Sequence, residues 1–146
     1  MITYRDYQDS DWPAICRIHD RARPYELKGS CDPRALIPIE KDPEVEDLKR
    51  SQKFVACNGE TVVGFSSVDE KYVSFLYIDP DYYGQGIGRR LLQIAVETIG
   101  PGAWTIVLHN NKRAINLYES ERFKETRRFD SDNAGYPCTC LRMERE

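Results

Sequence analysis

Three glycines at alternate positions, Gly84, Gly86 and Gly88, constrain this chain more than any other feature. They follow Val73-Ser74-Phe75-Leu76-Tyr77-Ile78, an apolar and aromatic run that reads as a buried strand. Asp79-Pro80-Asp81 stops the strand, and a helical pattern runs from Arg89 to Ile99. Strand, glycine loop and helix start together turn backbone N–H groups toward an anion. Glycines there let the backbone approach a ligand without Cβ atoms in the way. The stretch from Val73 to Ile99 therefore predicts a site for a phosphate-bearing ligand.

A chain of 146 residues is long enough to bury a real core, and one domain spanning residues 1–146 is expected. With 40% hydrophobic and 31% charged residues it reads as folded, not disordered. No apolar run reaches membrane-spanning length, and Met1-Ile2-Thr3-Tyr4-Arg5-Asp6 lacks a secretory core, so no membrane partner and a cytoplasmic location are expected. The net charge of −3 argues against a nucleic-acid binder, which carries a basic face. Cys16, Cys31, Cys57, Cys138 and Cys140 show no CxxC spacing and read as buried small hydrophobes; no metal is expected.

Taken in order, Ile2-Thr3-Tyr4-Arg5 alternates as a first strand. Asp9-Ser10-Asp11 before Pro13 marks a helix start, and Trp12, Ile15, Ile18 and Ala22 form its buried stripe with His19 beside them. Arg23-Pro24 is expected to close that helix. Residues 25–39 show no period and read as a loop on the substrate side, with at most a short helical piece. A second helix is expected from Asp42-Pro43 to about Gln52. Its Glu44, Glu46 and Asp47 form either a solvated face or a site for a cationic substrate.

Lys53–Cys57, Asn58-Gly59 and Thr61–Val68 give a hairpin signal, so an antiparallel meander leads into the glycine loop. Trp104–Leu108 reads as a strand parallel to Val73–Ile78. Asn110-Asn111 then caps a helix with Ala114, Ile115, Leu117 and Tyr118 spaced for packing. Phe123–Arg128 and Cys138–Met143 read as final strands, linked by a turn over Asp130–Gly135.

Three phosphate sites can be compared with the glycine loop. A P-loop needs Gly-Lys-Ser/Thr after its glycines, and that triplet is absent. A dinucleotide fingerprint needs G-x-G-x-x-G and an acidic residue on the next strand, and neither is present. The stretch Ile78-Asp79-Pro80-Asp81-Tyr82-Tyr83-Gly84-Gln85-Gly86-Ile87-Gly88-Arg89-Arg90-Leu91-Leu92 instead resembles the acetyl-coenzyme A motif of the GNAT superfamily of N-acetyltransferases. That motif is Gln/Arg-x-x-Gly-x-Gly/Ala after a strand ending in Val/Ile-x-Pro. A second stretch, Asn111-Lys112-Arg113-Ala114-Ile115-Asn116-Leu117-Tyr118-Glu119-Ser120-Glu121-Arg122-Phe123, is similar to the family's Asn-x-x-Ala-x-x-Leu-Tyr-Glu-x-x-Gly-Phe segment. Two positions depart from the pattern. Tyr83 replaces the first Gln/Arg, and Arg122 replaces the Gly before Phe123, where an altered turn is expected.

The resemblance implies a mixed α+β fold, with a mostly antiparallel sheet of about seven strands and about four flanking helices. It implies transfer of an acetyl group from acetyl-CoA to a primary amine of a small molecule or peptide, by direct attack in a ternary complex and without a metal. Leu76, Tyr77 and Ile78 would hold the pantetheine arm along an open strand edge. The pyrophosphate would rest on Tyr83, Gly84, Gln85, Gly86, Ile87, Gly88 and Arg89. Asn111 would contact the cofactor arm or cap its helix, and Tyr118 would both contact the cofactor and protonate the departing thiolate. The base stays open among Glu70, Ser74, Tyr72, His109 and water. The acceptor is open too: Arg21, Arg23, Lys28 and Arg34 suit an acidic one, Glu44, Glu46 and Asp47 a cationic one. The resemblance also leaves room for a homodimer and for a non-catalytic acyl-CoA-sensing module.

Overall fold

Seven strands and four α-helices form one mixed sheet covered on both faces in the computed structural model, which describes residues 1–146. In chain order these are β1 (Ile2–Asp6), α1 (Trp12–Leu27), α2 (Val45–Arg50), β2 (Gln52–Asn58), β3 (Thr61–Asp69), β4 (Tyr72–Ile78), α3 (Ile87–Ile99), β5 (Trp104–Leu108), α4 (Lys112–Ser120), β6 (Phe123–Asn133) and β7 (Tyr136–Arg145). Spatial order is β1-β2-β3-β4-β5-β7-β6, with β4 and β5 as the parallel neighbours. The α+β architecture expected from the sequence is the one that forms.

The helices divide the core between the faces of the sheet. On one face, Leu91, Leu92, Ala95 and Tyr118 from α3 and α4 pack with Val63, Val73 and Met143. On the other, Ile15, Ile18 and Leu48 from α1 and α2 pack with Val55, Phe65 and Phe75. Each large aliphatic side chain buried this way stabilises the fold by about 1.5–3 kcal/mol.

A bulge in β4 decides which side chains face which helices. Ser67 pairs with Phe75 but Val68 pairs with Val73, so Ser74 is an extra, unpaired residue. Such an insertion shifts the alternation and bends the strand. Val73 consequently packs toward α3, whereas Phe75 and Tyr77 turn toward α1. Leu76 and Ile78 return to the α3 face.

Four expectations are corrected. The first helix does not close at Arg23-Pro24: α1 continues through Pro24 to Leu27. Proline removes only the N–H that Asp20 C=O would accept, and the last turn persists because Lys28 N–H donates to Pro24 C=O at 3.2 Å. The second helix is shorter than expected, with Gln52 already in β2. The last two strands are longer, closing into a hairpin at Ala134-Gly135 with φ of 52° and 84°. β6 is a sheet edge whose residues after Phe123 are mostly exposed, so no apolar alternation marks it.

Arg122 is the fourth. Its φ of 71° keeps a left-handed turn at the position where the resemblance implies glycine, so the turn is retained and the cost is strain. Arg122→Gly is expected to stabilise the protein by about 0.5–1 kcal/mol, the left-handed penalty exceeding glycine's extra chain entropy. Urea unfolding of both proteins measures it.

Candidate active site

The parallel pair at the sheet centre opens almost at once. β4 and β5 are paired only at Tyr72 and Trp104, whose rings stack with centroids 4.2 Å apart and planes 7° from parallel. Thr105 Oγ1 donates to Val73 C=O at 2.9 Å, and beyond that the strands diverge. Asp79 N–H donates to Val63 C=O at 2.8 Å, which sets the hydrogen-bonding parity of β4. By the alternation of an antiparallel ladder, Tyr77 exchanges its backbone bonds with Phe65, while Leu76 and Ile78 point theirs into the gap. Of the three edge residues expected from the sequence, Leu76 and Ile78 offer backbone groups. Tyr77 offers a side chain on the α1 face instead.

A cavity of about 690 Å³ runs from this gap to the start of α3. Gly84, Gly86, Ile87, Gly88 and Arg89 line it. Gly84 and Gly86 have φ of 80° and 78°, the left-handed region that turns the loop onto the helix. No side chain caps α3, so the N–H groups of its first turn stay open to an anion. Gln85 is exposed and does not line the cavity; its side chain does not join the site the sequence placed it in. α4 differs from α3 here, because Asn111 Oδ1 accepts from Ala114 N–H at 3.4 Å while Asn111 still lines the cavity.

Tyr83 also faces the cavity, and it brings a partner. Arg113 of α4 lies over its ring at 3.6 Å, and Tyr25 of α1 meets it edge-on at 5.8 Å between centroids. A charge missing at Tyr83 is thus supplied from α4, held by a cation–π contact. Lys28, Arg89, Lys112 and Arg113 make the cavity wall cationic, which suits phosphate groups.

Tyr118 is buried, packs edge-on against Phe123 at 5.3 Å, and lines both this cavity and a smaller one of about 50 Å³. Burial pushes its hydroxyl up to about 12, with the neighbouring Thr105 hydroxyl working the other way. The phenol therefore keeps its proton across the neutral range.

The candidate bases are dispersed. Ser74 lines the smaller cavity and shares a 2.6 Å hydrogen bond with Ser67 Oγ. Glu70 lies exposed in the β3–β4 turn with φ of 54°, at the opposite end of β4 from the gap, and lines neither cavity. His109 is anchored to β7, its backbone N–H donating to Thr139 C=O at 3.0 Å. Tyr72 is committed to Trp104, and burial raises its hydroxyl well above the usual range.

The charged residues weighed for the acceptor are mostly engaged elsewhere. Arg21 donates to Asp79 at 2.6 Å, and Arg34 pairs with Asp32. Glu46 and Asp47 pair with Lys49 and Arg50 on the outside of α2. The sequence reading missed Glu26, Tyr25, Lys112 and Arg113, all of which line the larger cavity. A signal for Glu26 exists. It follows Ala22 by four residues, on one helix face, and only the expected break at Pro24 hid it.

Comparison with known proteins identifies the family. The family model of the acetyltransferase (GNAT) domain matches residues 49–125. The peptidyl-lysine N-acetyltransferase YjaB of Escherichia coli is 35% identical over 114 residues, covering 74% of this chain and 77% of that protein. Its Salmonella typhimurium counterpart is 38% identical over 81 residues, where the match spans 56% of this chain and 55% of the relative. The fold matches the PaiA N-acetyltransferase of Thermoplasma acidophilum in complex with coenzyme A, with a TM-score of 0.77 at 18% identity, covering 100% of this chain and 99% of that one. The family model covers more than half of the chain and YjaB is a relative over most of it, so the chain belongs to the GNAT superfamily of N-acetyltransferases.

Proposed function

We propose that this protein acetylates a primary amine of a peptide or small molecule by direct attack on acetyl-CoA, within the single domain of residues 1–146. The observation that carries the reading is the convergence of both motifs on one gap: Leu76 from β4 and Tyr118 from α4 line the same two cavities. The peptidyl-lysine activity named for YjaB favours a peptide acceptor.

Residue roles follow from position. The first-turn N–H groups of α3, with Arg89 and Arg113, receive the pyrophosphate. Leu76 and Ile78 pair with the pantetheine amides as an added strand would. The bound thioester supplies the acyl group. A backbone N–H in the gap donates to the carbonyl oxygen as charge develops there. Tyr118 gives its proton to the departing thiolate. The ammonium proton leaves to water, for which Ser74 in the smaller cavity is a hydrogen-bonding partner, while Glu70, Tyr72 and His109 line neither cavity.

No helix is long and apolar enough to cross a membrane. Free thiols at all five cysteines accord with a reducing, cytoplasmic setting, and the net charge of −3 accords with the absence of a nucleic-acid partner. The rival reading, a module that binds acyl-CoA without chemistry, leaves the buried phenol at the gap without a task.

Thiol release from acetyl-CoA with a lysine-containing peptide tests the reading. Tyr118→Phe is expected to lower kcat about 100-fold or more, with the KM for acetyl-CoA nearly unchanged. Because burial pushes the phenol up to about 12, the wild-type kcat should show no alkaline fall from this group up to about pH 10. Unchanged turnover in the variant contradicts the acid role, and binding without transfer supports the sensing module.

A further inference from the structure

The larger and smaller cavities share six lining residues: Glu26, Leu76, Tyr77, Asn111, Ala114 and Tyr118. This junction includes the Tyr118 phenol and the Leu76 backbone edge, so it is where donor and acceptor meet on the reading above. Charge is distributed unevenly around it. Lys28, Arg89, Lys112 and Arg113 line the larger cavity, and Glu26 is the one carboxylate lining either.

Glu26 is built into place. Its Oε1 accepts from Tyr77 Oη at 2.6 Å and from the Arg23 guanidinium, while Oε2 takes no bond from the protein. Arg23 is held in turn by Asn133 Oδ1 at 2.6 Å, so the β6 end of the final hairpin fixes its direction. The Tyr77 ring is wedged edge-on against buried His19, with centroids 4.9 Å apart. Burial raises the Tyr77 hydroxyl well above its usual range, so it remains a donor to the carboxylate. The Glu26 side chain keeps 24% exposure, enough to be reached from the junction.

We propose that Glu26 is the acceptor-binding residue: Oε2 receives the ammonium of the incoming primary amine and holds it beside the thioester carbonyl. This rests on the acetyl-transfer reading and deepens it by naming what selects the acceptor. An ammonium gains a charge-assisted hydrogen bond at Oε2, whereas an anionic acceptor finds no donor there, the Arg23 guanidinium being engaged by Oε1 and Asn133. Tyr77 and Arg23 are positioning residues, because they occupy Oε1 and leave Oε2 as the free acceptor. Loss of the ammonium proton to solvent then frees the nitrogen lone pair for attack.

The test uses the full chain with three amine probes: a blocked lysine peptide, an unblocked alanine peptide and spermidine. Glu26→Gln keeps an acceptor oxygen for Tyr77 and Arg23 while removing the charge. Its KM for the best amine should rise about 10- to 100-fold, with acetyl-CoA affinity by calorimetry within twofold of wild type. Tyr77→Phe leaves the carboxylate but loosens it, and should raise the same KM about 3- to 10-fold with a smaller change in kcat. An unchanged amine KM in Glu26→Gln, with wild type active, overturns this assignment alone. Equal loss of acetyl-CoA affinity in both variants also overturns it, as a structural role would produce that. A wild-type protein that acetylates none of the probes overturns the transfer reading and this inference with it.

Discussion

After Tyr72 and Trp104, β4 and β5 share no ladder, and everything the site does depends on that gap. A parallel pair continued to Ile78 would satisfy the Leu76 and Ile78 backbone groups internally and leave no slot for a ligand. The closed end is held by the Tyr72–Trp104 stack and by Thr105 reaching the Val73 carbonyl. The open end is widened by the bulge at Ser74, which bends β4 where divergence begins. Unpaired backbone groups in a partly buried strand cost about 1–3 kcal/mol each, so this edge is held open by its surroundings and relieved by a ligand that completes it.

Charge is sorted along the same axis. Cations gather where the glycine loop, α3 and α4 meet, and the one lining carboxylate lies at the junction with the smaller cavity. Tyr83 and Glu26 show how aromatic groups aid this sorting. Tyr83 carries no charge but holds Arg113 over its face, and Tyr77 orients Glu26 through its hydroxyl. A polyanionic donor would therefore lie along the cationic wall, with the acceptor ammonium at Glu26 beside Tyr118.

Much of this was legible because it is written in local rules. Alternate glycines, the β-rich run before them and the Asn-capped helix each have a physical signature over a few residues. What failed to show was set by longer-range contacts. Pro24 reads as a helix end, yet a last-turn proline forfeits one bond, and Glu26, one turn from Arg23, is also held from β4 by Tyr77. Glu70 seemed well placed because sequence distance to β4 is short, but the strand opens at its other end. β6 past Arg128 carries mostly polar exposed residues, so its pairing with β7 rather than its pattern shows how far the strand runs. Arg122 shows that a pattern glycine can be replaced without losing the turn it makes.

If β4 presents alternate backbone groups to the cofactor, residue-resolved amide hydrogen exchange will register it. On adding coenzyme A, protection is expected at Leu76 and Ile78 and in the first turn of α3, with little change at Tyr77, whose amide is already paired to Phe65. Saturated binding with no added protection at Leu76 and Ile78, or with protection at Tyr77 alone, would contradict it.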